Sequence, residues 1–151
     1  MAALQLRVEV EKLRLSAPFR ISGFVFEEQE VVVVTLDDGE HRGRGEASGV
    51  YYLGDTAQTM VAAIEAVRGT IERGIDRTAL QRLLPAGGAR NAVDCAVWEL
   101  EAHRLGVAVW ELADIDAPKP LVTTFTLGAD DPATMAAGAR KFAQATSLKL
   151  K

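Results

Sequence analysis

The chain has 151 residues, 48% of them hydrophobic and 25% charged, with a formal net charge of −4 and a pI near 5.2. These values describe a soluble folded chain with enough apolar residues for a real core, and they exclude an intrinsically disordered one. The acidic balance leaves no electrostatic footprint for nucleic acid or an anionic membrane, so a small-molecule partner is favoured.

The first residues alternate apolar and charged at once, which argues against a signal peptide, and no apolar stretch reaches bilayer-spanning length. Cys95 is the single cysteine, so no intramolecular disulfide forms and a cytoplasmic setting is expected. Val93, Ala96 and Val97 around it suggest a buried helical thiol without a catalytic role. Neither His41 nor His103 stands at metal-ligand spacing from it.

Leu4, Leu6, Val8 and Val10 alternate with Gln5, Arg7, Glu9 and Glu11, the period of a half-buried strand. Val31 to Val34 with Thr35 and Leu36 read as a second strand, Asp38-Gly39 as a hairpin turn, and the run ending Gly43-Arg44-Gly45-Glu46 as a third. Together they predict a three-stranded antiparallel meander. Gly43, Gly45 and Gly49 lack the spacing of a dinucleotide fingerprint. From Asp55-Thr56 the period becomes helical, with Met60, Val61, Ile64, Val67 and Ile71 on one stripe. A shorter helix is expected over residues 78–84, closed by Pro85, and a third over 90–105 with Gly106 as its C-terminal stop. Asp94 and Glu99 fall on that third helix, and Glu46 reads as structural.

Residues 113–120, rich in proline at their end, form the one plausible domain boundary; no internal repeat is present. Beyond it, residues 121–127 read as a strand, Asp130-Asp131-Pro132 as an N-cap with proline at N1, and Met135, Ala136, Ala139, Phe142 and Ala143 as a helix stripe. The sequence closes on Ser147-Leu148-Lys149-Leu150-Lys151. Strand, helix and strand at this spacing predict a right-handed βαβ crossover. On a strand Lys149 and Lys151 share a face, costly unless something negative or reactive lies opposite; the bland alternative is a solvated terminus.

The ordered set Gly43-Arg44-Gly45-Glu46-Ala47, Asn91 to Leu100, Thr124-Phe125-Thr126-Leu127-Gly128, Asp131-Pro132 and Leu148-Lys149-Leu150-Lys151 resembles the enolase superfamily, in its muconate-lactonizing-enzyme branch, and most of all the dipeptide epimerases. The resemblance implies an α+β capping domain over residues 1–117, then the beginning of a modified TIM (β/α) barrel over 118–151, truncated after its second strand. It implies an isomerase in which Mg²⁺ offsets charge on a substrate carboxylate while two bases exchange the α-proton. Lys151 is then one acid/base, at a barrel strand's C-terminal end. Lys149 is the neighbour whose like charge disfavours protonation and which also reaches the substrate carboxylate. The resemblance places the Mg²⁺ ligands and the second catalytic lysine on strands outside this sequence, so this chain itself supplies no metal ligand.

For specificity the resemblance implies two lid loops, near residues 17–28 and 46–55. The first carries Pro18-Phe19-Arg20, as in dipeptide epimerases, making Phe19 and Arg20 candidate substrate contacts. Where Ala-Glu epimerases place a basic reader of the substrate side chain, this chain has Phe24, favouring apolar or mixed dipeptides, with Arg20 an alternative partner for an acidic one. Phe24 and Phe26 read equally as core residues of the second strand, Tyr51 and Tyr52 as lid contacts or packing, and Thr126 as a substrate contact or a strand former. N-Acylamino acid racemisation, o-succinylbenzoate synthesis and muconate cycloisomerisation are alternatives on the same fold. A non-enzymatic cap-like binding module is the alternative from a different class. Assembly into a homo-oligomer is left open.

Overall fold

In the computed structural model, which describes residues 4–21 and 23–151, the alternating N-terminal residues form β1 (Gln5–Ile21), the valine-rich run β2 (Phe24–Asp37) and the glycine-punctuated run β3 (Arg42–Ala47). The sheet order is β1-β2-β3, and β2 pairs antiparallel with β3 from Val32↔Ala47 to Asp37↔Arg42. The expected meander is thus present, with one correction. The residues expected as the first lid loop, 17–28, are the far end of a long β1–β2 hairpin that turns at Gly23 (φ 84°), Ser22 lying outside the described residues.

The chain divides into two compact units, one of residues up to Lys12 with Glu30–Ala117, the other of Leu13–Gln29 with Pro118–Lys151. In the first, Leu4, Leu6, Val32, Val34 and Leu36 project from the sheet into a core shared with Met60, Ile64, Ile71, Leu80, Ala92, Val93, Ala96, Val97 and Leu100. The helices are α1 (Ala57–Ala66), α2 (Arg68–Glu72), α3 (Arg77–Leu83), α4 (Gly88–Leu105) and α5 (Val109–Leu112). The single helix expected after Thr56 breaks at Val67 (φ −115°, ψ 8°), although Ile71 stays fully buried on the same side. Thr56 caps α1 reciprocally with Thr59, and Asp76 caps α3 through Ala79 N–H at 2.7 Å. Arg68 ties α2 to the sheet, bonding Leu6 O, Glu65 and Glu72.

Helix α4 lies directly on β3 because β3 has no side chains at 43 and 45. A Cβ on Gly43 would overlap Ala96 O, and one on Gly45 would overlap Ala92 O and stand 2.7 Å from Ala96 N. The same helix seals the outer edge of β3. Asn91, Cys95, Glu99 and His103 recur every four residues and form one stripe along α4. Asn91 Nδ2 donates to Glu46 O (3.1 Å), Glu99 accepts from Arg44 N–H, and His103 Nδ1 donates to Arg42 O. The edge groups of a strand that would otherwise template aggregation are thereby paired.

Cys95 belongs to this stripe, which corrects the expectation of a buried thiol: the residue is exposed, with its Cβ against Gly45. Partial desolvation, and then the Asp94 carboxylate, push its pKa up and away from the reactive thiolate.

In the second unit β4 (Phe125–Leu127) and β5 (Leu148–Leu150) run parallel, joined by α6 (Pro132–Lys141). This is the start of a (β/α) barrel whose sheet is not closed. Asp131 caps α6 through Ala133 and Thr134 N–H with Pro132 at N1, as expected; those bonds, the Thr134 hydroxyl first, hold its carboxyl below the usual range. Only three of residues 121–127 are in a strand, because β5 offers a three-residue ladder; Leu121 and Val122 are exposed. Among the described residues no helix is long and apolar enough to cross a membrane.

Candidate active site

Of the residues that the sequence singles out for chemistry or substrate contact, Phe19, Arg20 and Phe24 on the hairpin, Thr126 on β4, Lys149 on β5 and Lys151 one residue past it fall in the second unit, and the lid candidates Tyr51 and Tyr52 in the first. In the second unit two segments nearly a hundred residues apart in sequence are brought together.

The ladder pairs Phe125 with Leu148, Thr126 with Lys149 and Leu127 with Leu150. Helix α6 covers the Phe125/Leu127 face: Phe142 stacks on Phe125 with ring centroids 4.7 Å apart, and Gly138 leaves room for Leu127. Alternation therefore turns Thr126 and Lys149 together to the opposite face, the interior side of a (β/α) barrel. Thr126 is half-buried, and Lys149 and Lys151 are exposed. Ser147 stabilises the approach to β5, its carbonyl accepting from Phe125 N–H (3.2 Å) and its hydroxyl from Thr124 (3.1 Å).

On the hairpin, Phe24 and Phe26 lie two residues apart on β2 and stack at 6.2 Å with an interplanar angle of 22°. The alternative that they are core residues is not what the structure shows: Phe24 is 50% exposed and Phe26 half-buried, and neither joins the apolar core. Phe19 is half-buried. Arg20 is not displayed as a lone cation: its Nε lies 3.3 Å from Asp130 Oδ2, and its carbonyl accepts from Ala129 N–H at 2.9 Å. Gly128, Ala129 and Asp130, just after β4, thus form the seat of the hairpin. The sequence marks Asp130 only as a capping residue and Gly128 only as the end of the Thr124–Gly128 motif, yet an isolated glycine at a strand end is a signal of close backbone approach.

In the first unit, residues 46–55 border a cavity of about 690 Å³ lined by Glu46, Ser48, Asp55, Met60 and Asn91 among others. Asp55 Oδ2 accepts from Gly88 N–H (3.0 Å), closing the N-terminus of α4. Tyr51 and Tyr52 sit on a 3₁₀ turn and pack edge to face at 5.2 Å; both are exposed, so they are not core residues. Among the described residues no group of three or more His, Cys, Asp or Glu side chains could hold a metal ion. The described residues therefore offer no donor set for the Mg²⁺ that the resemblance implies.

The order of elements, a three-stranded meander with helices and then a parallel β4–α6–β5 unit, has counterparts among known proteins. The family model for the mandelate racemase / muconate lactonizing enzyme N-terminal domain matches residues 3–113. The chain belongs to this family of the enolase superfamily. It is similar to the L-Ala-D/L-Glu epimerase of Escherichia coli K12, with 36% identity over 145 residues covering 96% of this chain and 45% of that protein. It is also similar to the hydrophobic dipeptide epimerase of Roseobacter litoralis, 31% identical over 124 residues covering 80% and 36%. Among solved structures, an enolase family member from Agrobacterium tumefaciens with homology to dipeptide epimerases, bound to sodium and L-Ala-L-Glu, superposes with a TM-score of 0.93 at 35% identity, covering 98% of this chain and 45% of that one. The chain spans less than half the length of these relatives.

Proposed function

We propose that this chain is the capping domain, residues 1–117, and the first barrel strands, residues 118–151, of a dipeptide epimerase. The reaction is a two-base transfer of the α-proton at the C-terminal residue of a dipeptide. The observation that carries this reading is the shared face of Thr126 and Lys149 on adjacent parallel strands, with Lys151 next in line. Lys151 is the acid/base for one face of the α-carbon, Lys149 pairs with the substrate carboxylate, and Thr126 hydrogen-bonds the peptide amide. The ligands of a Mg²⁺ that would offset the charge developing on that carboxylate, and the second base, are proposed to lie outside these residues. The lone cysteine favours a cytoplasmic site of action.

The stacked Phe24–Phe26 pair supports a preference for apolar or mixed dipeptides, and Phe19 extends that apolar surface. Burying a side chain against it is worth on the order of 2 kcal/mol. The relatives named as an L-Ala-D/L-Glu epimerase and a hydrophobic dipeptide epimerase are 36% and 31% identical to this chain over 96% and 80% of it, and the hairpin is proposed to decide between the two specificities. A panel of L-Ala-L-X dipeptides scored by kcat/KM on the full-length protein and its Phe24→Arg variant tests this. The wild type should favour Leu or Phe at X, and the variant should gain Glu at their expense; no gain for Glu would remove Phe24 from the substrate pocket.

A further inference from the structure

Arg20 is where the hairpin meets the first barrel strand, and three contacts converge on it. Ala129 N–H donates to its carbonyl at 2.9 Å, Asp130 Oδ2 lies 3.3 Å from its Nε, and its backbone fills the space over Gly128, where a Cβ would stand 2.9 Å from Arg20 N and 3.2 Å from Arg20 O. Asp130 is itself oriented, because its Oδ1 accepts from Asp131 N–H at 2.9 Å just ahead of α6. An exposed ion pair alone contributes little. Here the backbone bond and the missing side chain at 128 set the position, and the guanidinium fixes the register. Phe24, four residues further on past the Gly23 turn, inherits that register.

We propose that Arg20 is a positioning residue. Held on Gly128, Ala129 and Asp130, it sets where the hairpin tip with Phe24 and Phe26 stands over the C-terminal end of β4, and it is not the reader of a substrate carboxylate. With Asp130 beside its Nε, the guanidinium already has a carboxylate partner, which weakens its draw on a second one. The claim about what is positioned rests on the epimerase reading; the latch itself does not.

Arg20→Ala, Asp130→Ala, Gly128→Ala, the Arg20/Asp130 double variant and Arg20→Lys in the full-length protein separate the possibilities. The first readout is amide hydrogen exchange over residues 13–29, which needs no activity. All three alanine variants should speed exchange there, Gly128→Ala most, while exchange in α4 is unchanged. The second is the split between KM and kcat on L-Ala-L-Leu and L-Ala-L-Glu. Arg20→Ala and Asp130→Ala should each raise KM by roughly two- to fivefold for both dipeptides with kcat unchanged, and the double variant should be no worse than either alone. Arg20→Lys should recover part of the loss. Loss confined to L-Ala-L-Glu in Arg20→Ala, with Asp130→Ala silent, would make Arg20 a direct reader and overturn the proposal, as would unaltered exchange in the hairpin. If the wild type epimerises no dipeptide, the epimerase reading fails while hydrogen exchange still decides the latch.

Discussion

Thr126 and Lys149 stand opposite each other in the parallel β4–β5 ladder, turned away from the face that Phe142 covers. Two polar side chains on one face of adjacent strands can hold one ligand, the hydroxyl at its amide and the ammonium at its carboxylate. Thr126→Val keeps the shape and removes the hydroxyl. A neutral hydrogen bond contributes about 1 kcal/mol, so KM should rise roughly fivefold with kcat little changed in the full-length protein. If the pair shares a ligand, as proposed, the Thr126→Val/Lys149→Gln double variant should be non-additive by more than about 0.5 kcal/mol. Additive effects would mean that the two residues do not meet one substrate.

Gly45 and Gly39 separate two reasons for having glycine. At Gly45 a methyl would run into the backbone of α4 at Ala92 and Ala96; at Gly39, φ is 92° but no atom lies within 4 Å of the Cβ position. Gly45→Ala should therefore cost about 3 kcal/mol or more, by forcing helix and strand apart, whereas Gly39→Ala should cost about 1 kcal/mol of backbone strain. Urea denaturation of both variants measures the difference. Equal costs would contradict close approach as the reason for Gly45.

The elements were legible wherever local chemistry decides them. Thr56 and Asp131 cap the helices that their sequences announce, Gly106 adopts the left-handed stop after α4 (φ 67°), and Lys149 sits in a strand. What escaped depends on partners distant in sequence. Residues 17–21 and 24–28 form strand and not loop because β1 and β2 support each other there, a pairing that no local pattern reveals. Gly43 and Gly45 have meaning only beside the small residues Ala92 and Ala96 of α4. Cys95 was assigned to the apolar face because its neighbours are apolar, but a four-residue step from Asn91 to Glu99 puts it on the polar stripe. The candidate site was readable as residue types; that Arg20 is engaged by Asp130 was not.

Asp38 gives the cap an acid-sensitive turn. The backbone N–H of His41, then the Arg104 guanidinium at 2.7 Å and the N–H of Glu40, hold its carboxyl far below the usual carboxylate range. A carboxyl whose folded pKa lies below its unfolded one binds more protons in the unfolded chain. Its stabilisation is full above about pH 4 and is lost as pH falls toward the folded value. Asp38→Asn should lower Tm at pH 7, and the gap from wild type should close progressively below about pH 4. A gap that persists unchanged to pH 2 would show that the charge of Asp38 is not what holds the turn.

The epimerase reading turns on Lys151 and is tested most directly by solvent deuterium exchange at the substrate α-carbon. The full-length protein with Mg²⁺ should wash deuterium into the α-position of both L-Ala-L-Leu and L-Ala-D-Leu. Lys151→Ala should abolish that exchange from at least one of the two epimers while binding Mg²⁺ as before. Undiminished exchange from both epimers in Lys151→Ala would contradict the assignment of Lys151 as an acid/base.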